Sequence, residues 1–402
     1  MKDKKWLKFR HRVIRFLLTG AFSLYCRLKY HVDIVKFKEQ ENRPYLILYN
    51  HQTAFDQFFV DISFSGPIYY LATEDIFSLG WLSSALRYLV APIPIKKQTM
   101  DLSAVKTCIR VAREGGSLAI APEGNRTYSG RTEYINPSIA ALAMKLGLPI
   151  VLYRIEGGYG VHPRWSNVVR KGRMRSYVSR VIMPEEYKNW SKEELAQRIC
   201  DGLYVDEAND CNPCRHPRRA EFLERAIYVC PDCGLSTFNS HKDTLTCCRC
   251  GKAVIYDVTT KLQGKGCDFP FEYVAQWYDF QKDFINDLDV TACCEQPLYS
   301  EQVALYEVIV YKKKHLMAKK AELTLYGDRI LIRGAGRDEM DMHFDKLSAV
   351  TVLGKNKLNV YVDEQVYQIV GGDRFNALKY VHIYNRYKNI QRGDMNGKFL
   401  GL

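Results

Sequence analysis

Cys230, Cys233, Cys247 and Cys250 restrict what this chain can fold into more than any other feature. They form Cys-x2-Cys-x13-Cys-x2-Cys, and Gly234 and Gly251 follow the two pairs directly. Two tight knuckles of this kind bring four thiolates to the corners of a tetrahedron, and the glycines let backbone N–H groups approach sulfur. The pattern implies a structural Zn2+ held in a zinc ribbon. With four protein ligands the site is closed, so the metal should stabilise the fold and take no part in a reaction. Residues 211–260 hold few long apolar runs and need such a staple. Cys211 and Cys214 make a third pair, for which His216 or His241 would have to complete a second site. Unmetallated thiols are the plainer expectation there. The chain has 13 cysteines, an odd number, and the repeated pairs fit metal ligation in a reducing compartment better than a disulfide framework.

The remaining length, within a total of 402 residues, asks for further cores. A formal net charge of +13 points to an anionic partner, phosphate-bearing lipid or nucleic acid. Its placement favours lipid. Residues 1–30 are expected to form an amphipathic, membrane-associating helix, in which Lys4, Lys8, Arg12, Arg15, Thr19 and Ser23 recur on one side. Trp6, Phe9, Val13, Phe16, Leu17, Leu24 and Leu28 lie on others. The uncharged run from Phe16 to Cys26 is well short of the ~20 residues that span a bilayer. The expected location is therefore peripheral, on the cytoplasmic face of a membrane.

Residues 31–210 alternate short apolar runs (Tyr45 to Tyr49, Ser117 to Ala121, Pro149 to Ile155) with helical stretches (Asp101 to Glu114, Ser138 to Leu146), the pattern of an α/β domain. Residues 261–298 read as a helical linker. Residues 299–395 read as a mostly-β domain closed by one helix, and that order of elements resembles the pleckstrin-homology or GRAM-like superfold by pattern alone.

Two short segments carry the chemistry. Asn50-His51-Gln52-Thr53-Ala54-Phe55-Asp56 follows the first apolar run, and Pro122-Glu123-Gly124-Asn125-Arg126-Thr127 follows the second. Histidine titrates near neutrality, and an arginine beside a glycine turn offers a fork of donors to phosphate. Together with Val90 to Lys97 and Leu148-Pro149-Ile150-Val151, these blocks resemble, in order and spacing, those of the glycerolipid acyltransferases typified by bacterial 1-acylglycerol-3-phosphate acyltransferase. The likeness spans residues 10 to 200. Lysine stands where the family's second block ends in arginine, Thr53 where Ser is frequent, and Asn125 where Thr is. Asn136-Pro137-Ser138 replaces a frequent lysine and glycine, a departure that bears on head group preference.

The resemblance implies an O-acyltransferase that moves a fatty acyl chain from acyl-CoA or acyl carrier protein to a lysophospholipid hydroxyl. In it, His51 is the general base and Asp56 its orienting carboxylate. The implied substrate-binding residues are Glu123, Gly124 and Arg126, with Lys96 or Lys97 assisting on the phosphate. A five-residue spacing turns His51 and Asp56 about 140° apart on a helix, so they can meet only if His51 lies in a loop and Asp56 opens the helix. The expected partners are a phospholipid surface, the lysophospholipid and the acyl donor. Another lysolipid or glycerol 3-phosphate is the alternative acceptor. A zinc-ribbon nucleic-acid-binding protein is the alternative outside enzymes, disfavoured because the ribbon lacks a dense basic, aromatic strand face.

Overall fold

The computed structural model describes residues 5–39, 44–73, 76–95, 101–208, 212–309, 312–334 and 339–394. Lys96, Lys97 and Cys211 lie outside the described residues. The chain packs as two units. The first takes the residues up to Pro163 with Val169–Cys214, and the second takes Arg164–Val168 and the chain from Arg215 onward.

The first unit is built on seven strands: β1 (Val32–Ile34), β2 (Leu46–Tyr49), β3 (Ile68–Thr73), β4 (Ile93–Ile95), β5 (Ser117–Ile120), β6 (Ile150–Glu156) and β7 (Met174–Ile182). They lie in the order β1-β7-β6-β2-β5-β3-β4. All neighbours are parallel except β6 and β7. Between and around them run α1 (Phe9–Tyr30), α2 (Asp56–Ser63), α3 (Trp81–Leu89), α4 (Leu102–Arg113), α5 (Ser138–Leu146), α6 (Gly158–Val161), α7 (Pro184–Tyr187) and α8 (Lys192–Leu203). Central parallel strands are covered on both faces, and every residue of β2 and β5 is accordingly buried. Alternation along β2 sends Leu46 and Leu48 to a core with Val111, Ala140, Ala143, Leu195 and Ile199. Ile47 and Tyr49 join a second core with Cys26, Tyr30, Phe59 and Val60.

Helix α1 is turned the opposite way from an ordinary surface helix. His11, Cys26 and Tyr30 are its buried residues. Arg15 also points inward, its Nε 2.7 Å from Asp61 Oδ1 and its NH2 on the carbonyl of Phe64 at 2.6 Å. Thr19 donates to the other Asp61 oxygen. Outward stand Phe9, Phe16, Leu17, Leu24 and Leu28, with Phe9 and Phe16 about four-fifths exposed at 79% and 81%. The expectation that set Arg15 with Lys4, Lys8 and Arg12 on the basic side of a membrane-associating helix, and Trp6 among its apolar residues, is therefore corrected for these two residues. Trp6 packs on the core and donates to the Ala91 carbonyl at 3.2 Å. Among the described residues no helix is long and apolar enough to cross a membrane.

In the second unit, β8 (Val229–Cys230) and β9 (Gly234–Leu235) form a small hairpin. Next come β10 (Phe238–His241), β11 (Thr244–Cys247), β12 (Ala253–Tyr256) and β13 (Leu262–Gly264), an antiparallel sheet. Helix α9 (Val274–Asp287) leads into β14 (Tyr299–Glu307), β15 (His315–Leu325), β16 (Arg329–Arg333), β17 (Met340–His343), β18 (Leu347–Leu353), β19 (Lys357–Val362) and β20 (Gln365–Gly371). These seven are antiparallel in the order β17-β16-β15-β14-β20-β19-β18, and α10 (Leu378–Gln391) packs at the β18 end through Tyr384, whose hydroxyl donates to the Leu347 carbonyl.

The segment read as a linker is integral to this unit. On α9, Gln281 Oε1 accepts from the N–H groups of Tyr228 and Val229, and the Trp277 indole donates to the Val229 carbonyl at 2.8 Å. The Tyr299 hydroxyl on β14 donates to the Tyr228 and Ser236 carbonyls. The strand bearing Cys230 is thus bonded to α9 and β14 by side chains whose polar atoms would otherwise be orphaned in the core. Trp165, fully buried, stacks edge-on against Tyr256, and Arg225 donates to its carbonyl.

Candidate active site and metal cluster

Strands β2 and β5 are parallel neighbours, so the loops leaving their carboxyl ends emerge side by side, the usual place for a ligand in an open α/β sheet. Asn50 begins the first loop by extending the ladder with its side chain. Its amide donates to the Ile155 carbonyl and accepts from the Ile155 N–H, both at 2.8 Å, fixing the turn against β6. His51 follows in the loop, and Asp56 is the first residue of α2, as the five-residue spacing requires.

His51 Nδ1 lies 2.7 Å from Asp56 Oδ2. Asp56 is fully buried and accepts the backbone N–H groups of Gln52 and Thr53 as well as the Thr53 hydroxyl. The imidazole keeps 24% of its surface open to solvent. A histidine so held has a fixed ring orientation and, with Nδ1 bonded to a carboxylate, presents Nε2 as the basic nitrogen.

The second loop braces the first. Glu123 Oε1 accepts the His51 N–H at 2.8 Å, Glu123 Oε2 accepts the Glu133 N–H at 2.9 Å, and the Thr127 N–H donates to the His51 carbonyl at 3.2 Å. Burial pushes the Glu123 carboxyl up to about 8, against the opposing pull of those two N–H groups. Gly124 takes φ 68°, a turn open to glycine at little cost. Arg126 is half-buried and near enough to Tyr30 to pull down a phenol that burial, and after it Tyr25 and Asp56, push up. Tyr30, on α1, reaches His162 Nδ1 at 3.1 Å. Helix α6, preceding His162, packs on the His51 loop so closely that a Cβ on Gly158 would sit 2.6 Å from that of Gln52.

The structure thus brings His51, Asp56, Glu123, Gly124 and Arg126 together. Tyr30, His162 and the Gly157-Gly158 turn were not singled out from sequence. The one available signal was a Gly-Gly pair after an apolar strand, which marks a close backbone approach.

In the second unit the thiols of Cys230, Cys233, Cys247 and Cys250 lie within 4.8 Å of one another. The Cys230 and Cys250 sulfurs are 3.8 Å apart, the ~3.8 Å edge of a thiolate tetrahedron with Zn–S bonds of ~2.3 Å. The donor set therefore fits zinc. Among the described residues no second cluster forms, and of the third pair Cys211 lies outside them. Cys214 is buried in the first unit's core, beside Gly160 and Gly172. His216 Nδ1 accepts the Arg218 N–H.

The chain is similar to the chloroplastic 1-acyl-sn-glycerol-3-phosphate acyltransferase of Brassica napus, 23% identical over 45% of this chain and 52% of that one. It is also similar to the 1-acyl-sn-glycerol-3-phosphate acyltransferase of Borreliella burgdorferi, 28% identical over 39% and 64%. The chain thus spans about half the length of the plant relatives it matches. A solved structure, the 1-acyl-sn-glycerophosphate acyltransferase of Thermotoga maritima, is 20% identical and covers 48% of this chain and 76% of its own, with a TM-score of 0.39. Residues 32–155, which hold both loops, match the family described as Acyltransferase.

Proposed function

We propose that the protein transfers a fatty acyl group from a thioester, acyl-CoA or acyl carrier protein, to the free hydroxyl of a lysophospholipid, with 1-acylglycerol 3-phosphate the acceptor that fits best. What carries the reading is the His51–Asp56 pair at 2.7 Å on a loop braced by Glu123, inside the segment shared with acyltransferases. His51 Nε2 takes the proton of the acceptor hydroxyl as its oxygen attacks the thioester carbonyl. The tetrahedral intermediate collapses, the C–S bond breaks, and the departing thiolate recovers the proton from the imidazolium. Asp56 holds the ring and stabilises its charge meanwhile. Arg126 takes the acceptor phosphate, with Lys96 or Lys97 assisting, and Glu123 acts on the loop rather than on substrate.

The exposed apolar face of α1 meets the lipid surface. Solvent contact with Phe9, Phe16, Leu17, Leu24 and Leu28 is unfavourable by ~25 cal/mol for each Å² left uncovered, and the inward Arg15–Asp61 pair fixes that face outward. Neighbouring α3 adds Trp81, 81% exposed. The four clustered thiols hold one structural Zn2+, and the β-rich segment with its closing helix has the element order of a pleckstrin-homology or GRAM-like module.

The test is an acyl-transfer assay of the full chain with a panel of lysolipids and glycerol 3-phosphate against acyl-CoA and acyl carrier protein donors. Transfer to 1-acylglycerol 3-phosphate is expected to be fastest, and no transfer to any acceptor would reject the reading. Co-sedimentation with anionic and neutral vesicles, before and after Phe16→Glu with Leu24→Glu, tests the membrane face. Unchanged sedimentation would place the contact elsewhere.

A further inference from the structure

Two pieces of chain press on the His51 loop. One is the second loop, through the bonds made by Glu123 and Thr127. The other is α6, whose Gly158 lies so close that a Cβ there would sit 2.6 Å from Gln52 Cβ and 3.2 Å from Thr53 Cγ2. Gln52 and Thr53 are the residues whose N–H groups bond the Asp56 carboxylate. Where α6 rests therefore bears on how Asp56, and through it the His51 ring, is held.

What fixes α6 is a residue far along the chain, beyond the stretch that matches the acyltransferase family. Glu207 is 4% exposed. Its Oε2 accepts the Tyr159 N–H at 2.8 Å and its Oε1 the Gly158 N–H at 3.3 Å. These two donors open α6, where a helix cannot satisfy its own N–H groups, and a carboxylate accepts from both without presenting a donor to either. The Glu207 N–H in turn donates to the Gly130 carbonyl at 2.9 Å. Just before it the same segment pairs with the second loop: the Thr132 N–H donates to the Val205 carbonyl at 2.9 Å, and Arg131 Nε lies 3.3 Å from Asp206 Oδ2. Gly130, at φ 94°, would bring a Cβ within 2.8 Å of the Tyr159 ring, so the second loop and α6 also meet directly.

We infer that Glu207 is a positioning residue for the His51–Asp56 pair: its carboxylate holds α6 against Gln52 and Thr53, and so keeps in place the N–H groups that aim Asp56 at the imidazole. Losing the carboxylate leaves the backbone bond to Gly130 intact, so the segment stays docked while α6 is released. The effect on rate rests on the acyl-transfer reading, whereas the effect on the His51–Asp56 hydrogen bond rests on geometry alone.

The experiment follows two signals in the full chain. One is acyl-transfer kinetics with 1-acylglycerol 3-phosphate, and the other is the low-field proton resonance of the His51 Nδ1–H, assigned by its absence from His51→Ala. Glu207→Gln should weaken that resonance and lower kcat about tenfold to hundredfold, the scale of a misplacement of up to ~1 Å, with KM for the acceptor unchanged. Asp206→Asn removes the neighbouring carboxylate of the same segment, which faces Arg131, and should change neither signal. Gly158→Ala pushes α6 off Gln52 with Glu207 intact and should reproduce the Glu207→Gln result, and it decides the question if circular dichroism shows Glu207→Gln unfolded. A parent-like resonance and kcat in folded Glu207→Gln or in Gly158→Ala, or equal losses in Asp206→Asn, would overturn the assignment and leave Glu207 a tie of the fold alone. No transfer by the unsubstituted chain would instead reject the acyl-transfer reading, and the resonance would still decide the positioning.

Discussion

The loop carrying His51 and the knuckles carrying the four cysteines are both short turns at strand ends, and both gather polar groups, yet they are satisfied differently. In the first, the oxygens of Asp56 and Glu123 take backbone N–H groups of Gln52, Thr53, His51 and Glu133. In the second, four thiols crowd within 4.8 Å, and the polar contacts they make are chiefly with one another, with Ser236 and with nearby N–H groups. Folding alone can complete the His51 loop. The knuckles call for a cation from outside, because four thiolates at that distance repel and four thiols gain little from proximity.

The largest expected effect breaks the comparison on the metal side. Structural zinc in small sites carries an apparent binding free energy of ~10–16 kcal/mol near neutrality, which exceeds the stability of most domains. Cys230→Ser with Cys233→Ser should remove about one zinc per chain and abolish the calorimetric transition of the second unit. Because α9 and β14 bond directly to the strand bearing Cys230, the loss should reach beyond the knuckles. Elemental analysis without zinc in freshly prepared protein, or an unchanged melting profile after the double substitution, would refute it.

A smaller effect tests whether a polar group organised by the protein alone can decide the direction of a helix. Asp61→Ala leaves the Arg15 guanidinium partly buried without its counter-charge. Since the two side chains retain 12% and 18% exposure, the cost should fall somewhat below the range for fully buried pairs, at ~2–3 kcal/mol. Arg198→Ala removes an exposed pair with Glu194 on α8 and a guanidinium 4.2 Å from the centre of the Trp190 ring, and should cost no more than ~1 kcal/mol. Denaturant melts that rank the two substitutions equally would discard the inward pair as the determinant of α1.

The smallest effect, counted per pH unit, concerns Glu123. Its folded carboxyl titrates at about 8, above the ordinary carboxylate, so the native state holds a proton that the unfolded state has released. Stability contributed by this group is complete below the unfolded pKa and is lost as pH rises toward 8, with a slope of at most ~1.4 kcal/mol per pH unit. Glu123→Gln should flatten that part of the curve. It should also cost ~1–2 kcal/mol at low pH, since an amide can accept from only one of the two N–H groups without turning a donor toward the other. A pH–stability curve identical to that of the unsubstituted chain would show that Glu123 does not titrate there.

These residues also show what a sequence makes legible. The Asn50–Asp56 and Pro122–Thr127 blocks and the cysteine spacing were readable because each packs its chemistry into a few adjacent positions. Strands β2 and β5 were readable because burial on both faces demands continuous apolar runs. The brace from Glu123 to His51 joins a side chain to a backbone N–H 72 residues away and leaves no mark on residue type, so sequence gives Glu123 a place beside the substrate and a part in shaping its loop without the partner it bonds. Strand β7 escaped notice because its exposed positions carry Arg175, Ser179 and Arg180, which mask the apolar period. Helix α1 is the clearest case. Its 3.6-residue period was visible, as is that of α8, where Leu195, Ala196, Ile199 and Leu203 face the core and Lys192, Glu193 and Gln197 face out. Period alone does not say which face lies inside. On α8 apolar burial decides, whereas on α1 the inward side is set by Asp61, a residue of another helix.

The account rests on His51 as the base, and the most direct measurement compares acyl transfer by the unsubstituted chain and by His51→Ala, with thermal melting followed on the same samples. Both proteins should melt alike, because the ring is partly exposed and the brace from Glu123 holds the backbone N–H that alanine retains. Transfer from the thioester to 1-acylglycerol 3-phosphate should fall by roughly 10²-fold to 10⁴-fold in the variant, the range for loss of a positioned general base. Near-normal transfer by a His51→Ala chain that melts like its parent would contradict the mechanism.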